Sequence, residues 1–277
     1  MLNYEPININ DKKIFEDIIK SKHKDNPEKK ILNNGRNIII EAYENYKDKE
    51  NEIEKINHDM RIESELKNAL IKTYESNGKV LSEMKNEILE KLPLVLQGTC
   101  PYCMISEPNT FDHYLDKSSY PEFSIYSRNL IPCCSRCNSY KGDKVLNDIG
   151  EREFINFGFD KLPNYCFLKI EVKNINGHPS IGKIHLKFQD ENRVNKVITR
   201  HFEKLHLIER YKKKIPNELS CLYNELKLND TITVSKLENI LKKKISVFEE
   251  NQGRNNWLVC LYRGILENKE LLSDMCQ

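Results

Sequence analysis

The sequence predicts an α+β fold, in which a mainly helical chain carries a metal-bound core near its middle and a small β-hairpin in its C-terminal half. Three observations lead to this prediction. Apolar residues recur at helical spacing from residue 10 to 96, two Cys-x-x-Cys pairs follow, and apolar residues then alternate with polar ones between residues 167 and 188. These patterns define three predicted regions: a helical N-terminal region 1–96, a metal-bound core 97–146 and an α+β C-terminal region 147–277.

Composition bounds the class of protein. The chain has 277 residues with 39% apolar content, enough for real cores, and its formal charge of +2 argues against a strongly basic nucleic-acid coat. No apolar run approaches the length of a membrane span, and MLNYEPININDKK lacks the apolar segment of a signal peptide. We therefore expect a cytoplasmic protein without a membrane partner. In that reducing compartment the nine cysteines suit metal ligands and buried thiols better than disulfides.

The N-terminal region is predicted to be helical almost throughout. Ile14, Phe15, Ile18 and Ile19 form one helical stripe, and a second begins at Ile38. Between residues 46 and 65 Lys, Glu, Asp and Asn dominate, which we interpret as a solvated helix face. Ser76-Asn77-Gly78 predicts a break, after which the helical pattern resumes over 80–90 and ends near Pro93 and Gly98.

The C-terminal region is predicted to hold a hairpin followed by helices. Residues 167–172 and 184–188 alternate in polarity, and Asn176-Gly177 lies between them, although the expected connection is longer than two residues. Helical periodicity returns from Asn192. Ser235 is a plausible N-cap for a helix through Phe248, and a terminal helix is expected around residues 257–266.

The two cysteine pairs predict a structural zinc site made by Cys100, Cys103, Cys134 and Cys137. A Cys-x-x-Cys turn brings two thiolates to the separation that tetrahedral zinc requires. A two-histidine finger is excluded, because the histidine after His113 is His178. Cys133 remains an alternative ligand. Since 30 residues separate the pairs, the zinc would close a long insert.

That insert contains residue types suited to phosphodiester hydrolysis. The order is Asp112-His113, then Asn129, then Asn138 beside the last zinc cysteine, then Lys141. Imidazole can deprotonate water near neutral pH, and a carboxylate with an amide oxygen suits a hard cation such as Mg²⁺. Asp112 and Asn138 supply that pair if the fold brings them together. A lone histidine in a zinc domain is, however, more often structural.

The stretch CPYCMISEPNTFDHYLDKSSYPEFSIYSRNLIPCCSRCNSYKGDK resembles the ββα-metal core of HNH endonucleases, in the version with a four-cysteine zinc site. The resemblance covers about 45 residues and implies specific roles. His113 would be the general base, Asp112 and Asn138 would hold a catalytic Mg²⁺ or Mn²⁺, and Asn129 would orient the loop and the base. Lys141 would contact phosphate or the transition state.

A finer resemblance lies in DHYLDKSSYPEFSIYSRNLIPCC and in RHFEKLHLIERY at 200–211. These segments are similar to HNH proteins of bacterial anti-phage systems, of the Septu and retron-associated type, which work beside an ABC-type ATPase. Asp116 stands where that group usually has proline, and the helical region before Cys100 is longer than expected. The chain lacks Gly-x-x-x-x-Gly-Lys-Ser/Thr, so any ATPase would be a separate protein.

The sequence therefore predicts a metal-dependent endonuclease acting on DNA, with RNA not excluded as a substrate. Arginines, lysines and tyrosines around the motif suit phosphate contact: Arg128, Arg136, Lys141, Lys144, Tyr102, Tyr114, Tyr120 and Tyr140. The alternative is a zinc-stabilised module that binds nucleic acid or a partner protein without cutting. The flanking regions would bind a partner or position the nuclease on its substrate.

Overall fold

A computed structural model describes residues 1–175, 178–227 and 232–276. It is mainly helical and contains two antiparallel two-stranded sheets, which agrees with the predicted α+β class. The chain forms two compact units: residues 4–160, and residues 161–277 together with residues 1–3. None of the described helices is both long and apolar enough to cross a membrane.

Five helices precede the cysteine region in the unit 4–160. They are α1 (Asp11–Ser21), α2 (Pro27–Asp48), α3 (Ser64–Ser76), α4 (Lys79–Lys91) and α5 (Leu94–Gly98). Asparagine side chains cap the first two: Asn10 accepts from the N–H of Lys13, and Asn26 accepts from the N–H of Glu28. The predicted break at Asn77 is confirmed, because this residue adopts the left-handed conformation with φ 46°.

The predicted solvated helix over residues 46–65 is wrong. Helix α2 ends at Asp48, a 3-10 helix spans Glu50–Lys55, and residues 56–63 contain no helix. The physical reason is burial of the three isoleucines in this polar stretch: Ile53, Ile56 and Ile62 are all buried, whereas Met60 is exposed. A regular helix would leave some of the isoleucines facing water, whereas the irregular path turns these three inward.

The cysteine region folds as two short strands followed by a helix. Strands β1 (Thr110–His113) and β2 (Leu130–Cys133) pair antiparallel, with Thr110 opposite Cys133 and His113 opposite Leu130. Helix α6 (Ser135–Lys141) follows at once and packs against β1. It ends at Gly142, whose φ of 56° suits glycine.

The long connection between β1 and β2 rests on helices α1 and α2. The rings of Tyr43 and Tyr126 stack with centroids 4.4 Å apart, and Tyr46 is fully buried against Phe123 at 5.0 Å. The buried carboxylate of Asp11 accepts hydrogen bonds from the backbone N–H and the hydroxyl of Ser127, both at 2.8 Å. The N-terminal helices therefore hold the loop that carries Asn129.

The second unit combines a hairpin with five helices. Strands β3 (Leu168–Ile175) and β4 (His178–Leu186) pair antiparallel, and α7 (Arg193–Lys204), α8 (Leu207–Lys227), α9 (Val234–Gln252), α10 (Trp257–Glu267) and α11 (Lys269–Asp274) follow. Helix α10 packs closely on β3: a Cβ atom at Gly264 would lie 1.9 Å from the carbonyl oxygen of Ile170. Glycine is therefore required at that crossing.

Two details of the sequence interpretation need correction in this unit. The strands extend beyond the alternating residues, so that only two positions separate them and the expected longer connection is wrong. Those two positions, Asn176-Gly177, lie outside the described residues. Helix α9 begins at Val234 with Thr233 as its N-cap, two residues before the predicted N-cap Ser235. The threonine hydroxyl accepts from the N–H of Lys236, which satisfies the cap.

Candidate active site and metal centre

Four cysteine sulfurs come together at the centre of the cysteine region. Cys100, Cys103, Cys134 and Cys137 are all buried, and their Sγ atoms lie within 4.8 Å of one another. The Sγ atoms of Cys103 and Cys134 are 3.9 Å apart. Tetrahedral zinc with Zn–S bonds of about 2.3 Å places sulfurs about 3.8 Å apart, so the cluster fits this ion. The predicted convergence of these four cysteines is confirmed, and their geometry is consistent with structural zinc.

Cys133 lies outside this cluster, although it is adjacent to Cys134. It is buried on β2 opposite Thr110, and burial raises the pKa of its thiol. Successive residues of a strand face opposite sides, which points its sulfur away from the metal position. The alternative in which Cys133 replaces Cys134 as a ligand is therefore excluded.

Asp112 has hydrogen-bond donors on both carboxylate oxygens. Oδ2 accepts from the hydroxyl of Tyr102 at 2.7 Å, and Oδ1 accepts from Nζ of Lys141 at 3.0 Å. Burial raises the pKa of Asp112, and the neighbouring ammonium of Lys141 opposes that rise. The carboxylate is only 3% exposed, so in this conformation its charge is matched inside the protein rather than by water.

Lys141 was predicted to contact phosphate, but its ammonium group lies inside the protein. It donates to Asp112 and also to the backbone oxygen of His113 at 2.9 Å, and its side chain is fully buried. A carboxylate oxygen and a carbonyl oxygen thus flank a positive charge. The carboxylate of Asp112 and the carbonyl oxygen of His113 favour a positive charge between them, and the ammonium of Lys141 occupies that position.

His113 is the last residue of β1, and its ring is almost fully enclosed. Nε2 lies 3.0 Å from the carbonyl oxygen of Ser124, and the ring of Tyr74 meets it edge-on at 4.3 Å. Burial lowers the pKa of His113 to about 4. The ring is therefore neutral at pH 7. Because a carbonyl oxygen can only accept, the neutral ring carries its proton on Nε2 and leaves Nδ1 as the basic nitrogen.

Asn129 is fully buried and ties the chain after β1 to the turn before β2. Its side-chain oxygen accepts from the N–H of Leu115 at 2.8 Å, and its amide donates to the carbonyl oxygens of Leu115 and Phe123 at 2.9 and 3.2 Å. The ends of a long loop are thus joined through one side chain. This geometry fits the orienting role expected for Asn129.

Asn138 is half-buried in the middle of α6. Its N–H donates to the carbonyl oxygen of Cys134, which belongs to the zinc cluster. It precedes Lys141 by three residues, so both lie on the same side of the helix. Helix α6 therefore brings an amide towards the side on which Lys141 meets Asp112.

The structure brings some predicted residues together more closely than others. Asp112, Lys141 and the backbone of His113 form one hydrogen-bonded group, with Asn138 one helical turn away. The imidazole of His113 contacts a different group, made by Ser124 and Tyr74. Asp112 and His113 follow each other on a strand, and their side chains accordingly meet different neighbours.

A hard divalent cation fits the donor types at this position. The carboxylate of Asp112 and the carbonyl oxygen of His113 already face a positive charge, and Asn138 can add an amide oxygen. Mg²⁺ and Mn²⁺ prefer such oxygen donors. Binding there requires that the ammonium of Lys141 withdraw, because the ion and the ammonium would share the same oxygen.

Several residues at the site were not predicted as functional. Tyr102 was noted only as one of several aromatic residues, and it binds Asp112. Its place between two zinc cysteines is the signal that could have identified it. Tyr74 reaches His113 from α3, and the ammonium of Lys85 on α4 lies 4.2 Å from the Tyr74 ring. No local sequence pattern links either helix to His113.

The expected basic cluster divides into inner and outer residues. Arg128 forms an ion pair with Glu50, and Tyr102 and Tyr114 are fully buried. Arg136 and Lys144 are exposed, and Tyr140 is 44% exposed. Only this second group can contact a large ligand without rearrangement.

The chain is similar to two known proteins. It is 31% identical over 102 residues to Septu protein PtuB of Bacillus thuringiensis, covering 33% of this chain and 37% of that protein. It is 22% identical over 218 residues to Protein ea31 of Escherichia phage lambda, covering 73% of this chain and 72% of that protein. The chain thus matches little more than a third of the length of the Septu protein.

No protein-family model matches the chain, and no solved structure matches it.

Proposed function

We propose that this protein is a metal-dependent HNH endonuclease that hydrolyses DNA phosphodiester bonds as the effector of a bacterial anti-phage system. One observation carries the proposal: a four-sulfur cluster closes a strand–strand–helix unit in which a neutral histidine directly follows, along β1, a buried carboxylate that is paired with a lysine ammonium. A pure binding module has no need for a base at such a position. The distant similarity to Septu protein PtuB supports the defence role.

His113 would act as the general base. Its neutral ring can accept a proton from water at Nδ1, while the carbonyl oxygen of Ser124 fixes the tautomer through Nε2. Asp112 and Asn138 would hold Mg²⁺ or Mn²⁺. When bound, this ion neutralises charge on the scissile phosphate and on the departing 3′ oxygen. The products would carry 5′-phosphate and 3′-hydroxyl ends.

Lysines near the base suit a phosphate substrate. Lys117, Lys141 and Lys85 all lie close enough to the His113 ring to disfavour its protonated form, and so lower its pKa further. The half-buried Lys85 would also attract an anionic phosphodiester towards the ring. It would therefore favour both the neutral state of the base and the approach of its substrate.

Positively charged residues outnumber acidic ones in the second unit but not in the unit that holds this site. Residues 161–277 contain 21 Lys and Arg against 14 Asp and Glu, whereas residues 4–160 contain 23 against 28. Nucleic-acid affinity depends strongly on such charge. We infer that the second unit supplies general affinity for the DNA backbone and that the first supplies the chemistry. A separate ABC-type ATPase is the partner we propose, from the Septu-type resemblance.

The decisive test is a plasmid-nicking assay with Mg²⁺ or Mn²⁺, run on zinc-loaded protein. We expect His113→Ala to lose nicking by about 100-fold or more, and His23→Ala, at an exposed histidine between α1 and α2, to match wild type. Equal cutting by the wild type and His113→Ala would remove the proposed mechanism. Parallel assays on single-stranded RNA would show whether DNA is the preferred substrate.

A second candidate function is supported by the Lys141–Asp112 pair itself. Because the pair already neutralises the carboxylate, the domain could serve as a zinc-stabilised module that binds nucleic acid without cutting. Gel-shift binding that persists in Mg²⁺ and Mn²⁺, with no cleavage over hours and with or without co-purifying proteins, would favour this function.

A further inference from the structure

Two cysteines from distant parts of the chain meet in the second unit. Cys166 lies just before β3 and Cys260 lies in α10, 94 residues apart, yet their Sγ atoms are 3.9 Å apart. Among the residues that the structure describes, metal-ligating groups gather only at the four zinc cysteines. The Cys166–Cys260 pair is therefore a dithiol outside any metal site, and the nuclease mechanism does not use it.

The backbone around the pair is fixed by hydrogen bonds. The buried Asn255 accepts from the N–H groups of Phe167 and Leu168 at 2.8 and 3.1 Å, and it donates to the carbonyl oxygen of Tyr165 at 3.0 Å. Cys166 lies between these bonded residues. Disulfide formation would bring the two sulfurs from 3.9 Å to the S–S distance of about 2.05 Å.

The two thiols differ in access. Both line an open cavity of about 280 Å³, but Cys166 is half-exposed whereas Cys260 is only 2% exposed. Lys169, Lys187 and Arg263 line that cavity, and the acidic Glu171 and Glu267 line it too. Cys166 is therefore the more accessible of the two thiols to a small oxidant.

The surroundings favour a thiolate at Cys166. The hydrogen bond with Cys260 lowers the pKa of Cys166 to about 6, and the positive charges of Arg263 and Lys169 add to this effect, against the opposing effect of burial. The thiolate is the form that attacks peroxides. A half-exposed thiolate with a second thiol in reach matches the arrangement of redox-sensing cysteines.

We propose that Cys166 and Cys260 form a reversible redox site, in which Cys166 reacts first with hydrogen peroxide and Cys260 resolves the product into a disulfide. The sulfur of Cys166 attacks one peroxide oxygen, the O–O bond breaks, and the products are Cys166 sulfenic acid and one water. The sulfur of Cys260 then attacks the sulfenic sulfur, the S–O bond breaks, and a second water leaves. Two thiols and one peroxide thus give one disulfide and two waters.

The disulfide would clamp the start of β3 to α10. A dithiol reductant would reverse it, and sulfur oxidation would be confined to the second unit. The four clustered cysteines are buried and belong to the first unit. The site would thus report oxidative stress without loss of the metal centre.

The test uses full-length, reduced, zinc-loaded protein treated with a slight excess of hydrogen peroxide, quenched with an alkylating agent and digested without reduction. We expect a Cys166–Cys260 cross-linked peptide that dithiothreitol removes, while a chromogenic chelator detects no released zinc. Cys260→Ser should instead accumulate a dimedone adduct at Cys166. Cys166 should react about tenfold faster than the exposed Cys221 at pH 7.

Cys221→Ser is the matched control, because it removes an exposed cysteine outside the pair and should leave the cross-link unchanged. The proposal is overturned if the wild type yields no Cys166–Cys260 peptide. It is also overturned if Cys221 and Cys166 are oxidised at equal rates, or if Cys260→Ser gives no adduct at Cys166. These readouts do not involve nuclease activity, so they stand or fall independently of it.

Discussion

Nζ of Lys141 lies 3.0 Å from a carboxylate oxygen of Asp112, and both side chains are buried. The pair joins the C-terminal end of α6 to β1, and the hydroxyl of Tyr102 satisfies the other oxygen of the carboxylate. A buried ion pair of this kind compensates its own desolvation only while both partners remain. The same contact therefore stabilises the fold and occupies the proposed cation position.

Replacing Lys141 with methionine should separate these two effects. Lys141→Met leaves a buried carboxylate without its counter-charge, which should cost about 3–5 kcal/mol of stability in the absence of divalent cations. It should also tighten Mn²⁺ binding, since the ion no longer competes with an ammonium group. Titration calorimetry and thermal unfolding with and without Mn²⁺ measure both. Lys144→Met, at an exposed lysine on the same segment, is the control.

Equal Mn²⁺ affinity in the wild type and Lys141→Met would mean that the ammonium does not occupy the cation position. If Mn²⁺ failed to restore the stability of Lys141→Met, the same conclusion would follow.

Cys133 and Cys134 are adjacent in the chain, but Cys134 belongs to the four-cysteine cluster and Cys133 does not. Cys134→Ser removes one of four ligands, so we expect zinc content to fall well below one ion per chain and the unfolding temperature to drop. Cys133→Ser changes a buried cysteine that faces away from the cluster, and zinc content should stay at one. Atomic absorption on both purified variants measures this. Loss of zinc in Cys133→Ser alone would reverse the ligand assignment.

The four-cysteine site could be predicted from the sequence because each pair of cysteines lies within four consecutive residues. A Cys-x-x-Cys turn fixes two sulfurs whatever surrounds it, and two such turns can share one ion. The hairpin of the second unit followed from period-two alternation over 167–172 and 184–188.

Other features depend on contacts between distant residues, which spacing does not reveal. Ile53, Ile56 and Ile62 gave no signal that the polar stretch would fold inward, because burial was decided by the surface against which they pack. The interior position of Lys141 depends on Asp112, 29 residues earlier in the chain. The meeting of Cys166 with Cys260 required the packing of α10 on β3.

Replacing Asn129 with alanine should mainly lower stability, whereas replacing Asn138 with alanine should mainly lower nicking activity. Asn129→Ala removes four hydrogen bonds from a fully buried position, and we expect a loss of about 2–4 kcal/mol in the free energy of unfolding. Asn138→Ala, at a half-buried position on α6, should cost less than about 1 kcal/mol but abolish metal-dependent nicking. Urea unfolding and the nicking assay, run on both variants, measure the contrast. Similar stability losses in the two would argue against the separate roles.

The buried ring of His113 should make the protein less stable in acid. Burial holds its pKa at about 4 in the folded state against 6.5 for an ordinary histidine. As the pH falls from 6.5 towards 4, His113 takes up a proton in the unfolded chain but stays neutral in the folded protein. The free energy of unfolding therefore decreases. Between pH 7.5 and pH 5 this loss should be about 2 kcal/mol.

His113→Gln isolates this contribution, because glutamine does not titrate and its amide can still donate to the carbonyl oxygen of Ser124. Protonation of the zinc cysteines destabilises both proteins in acid, so it cancels in the difference between them. Urea unfolding at pH 7.5 and pH 5 should therefore show the wild type losing about 2 kcal/mol more than His113→Gln. Parallel pH profiles for the two proteins would place the ring in contact with water and remove the argument for a neutral, enclosed base.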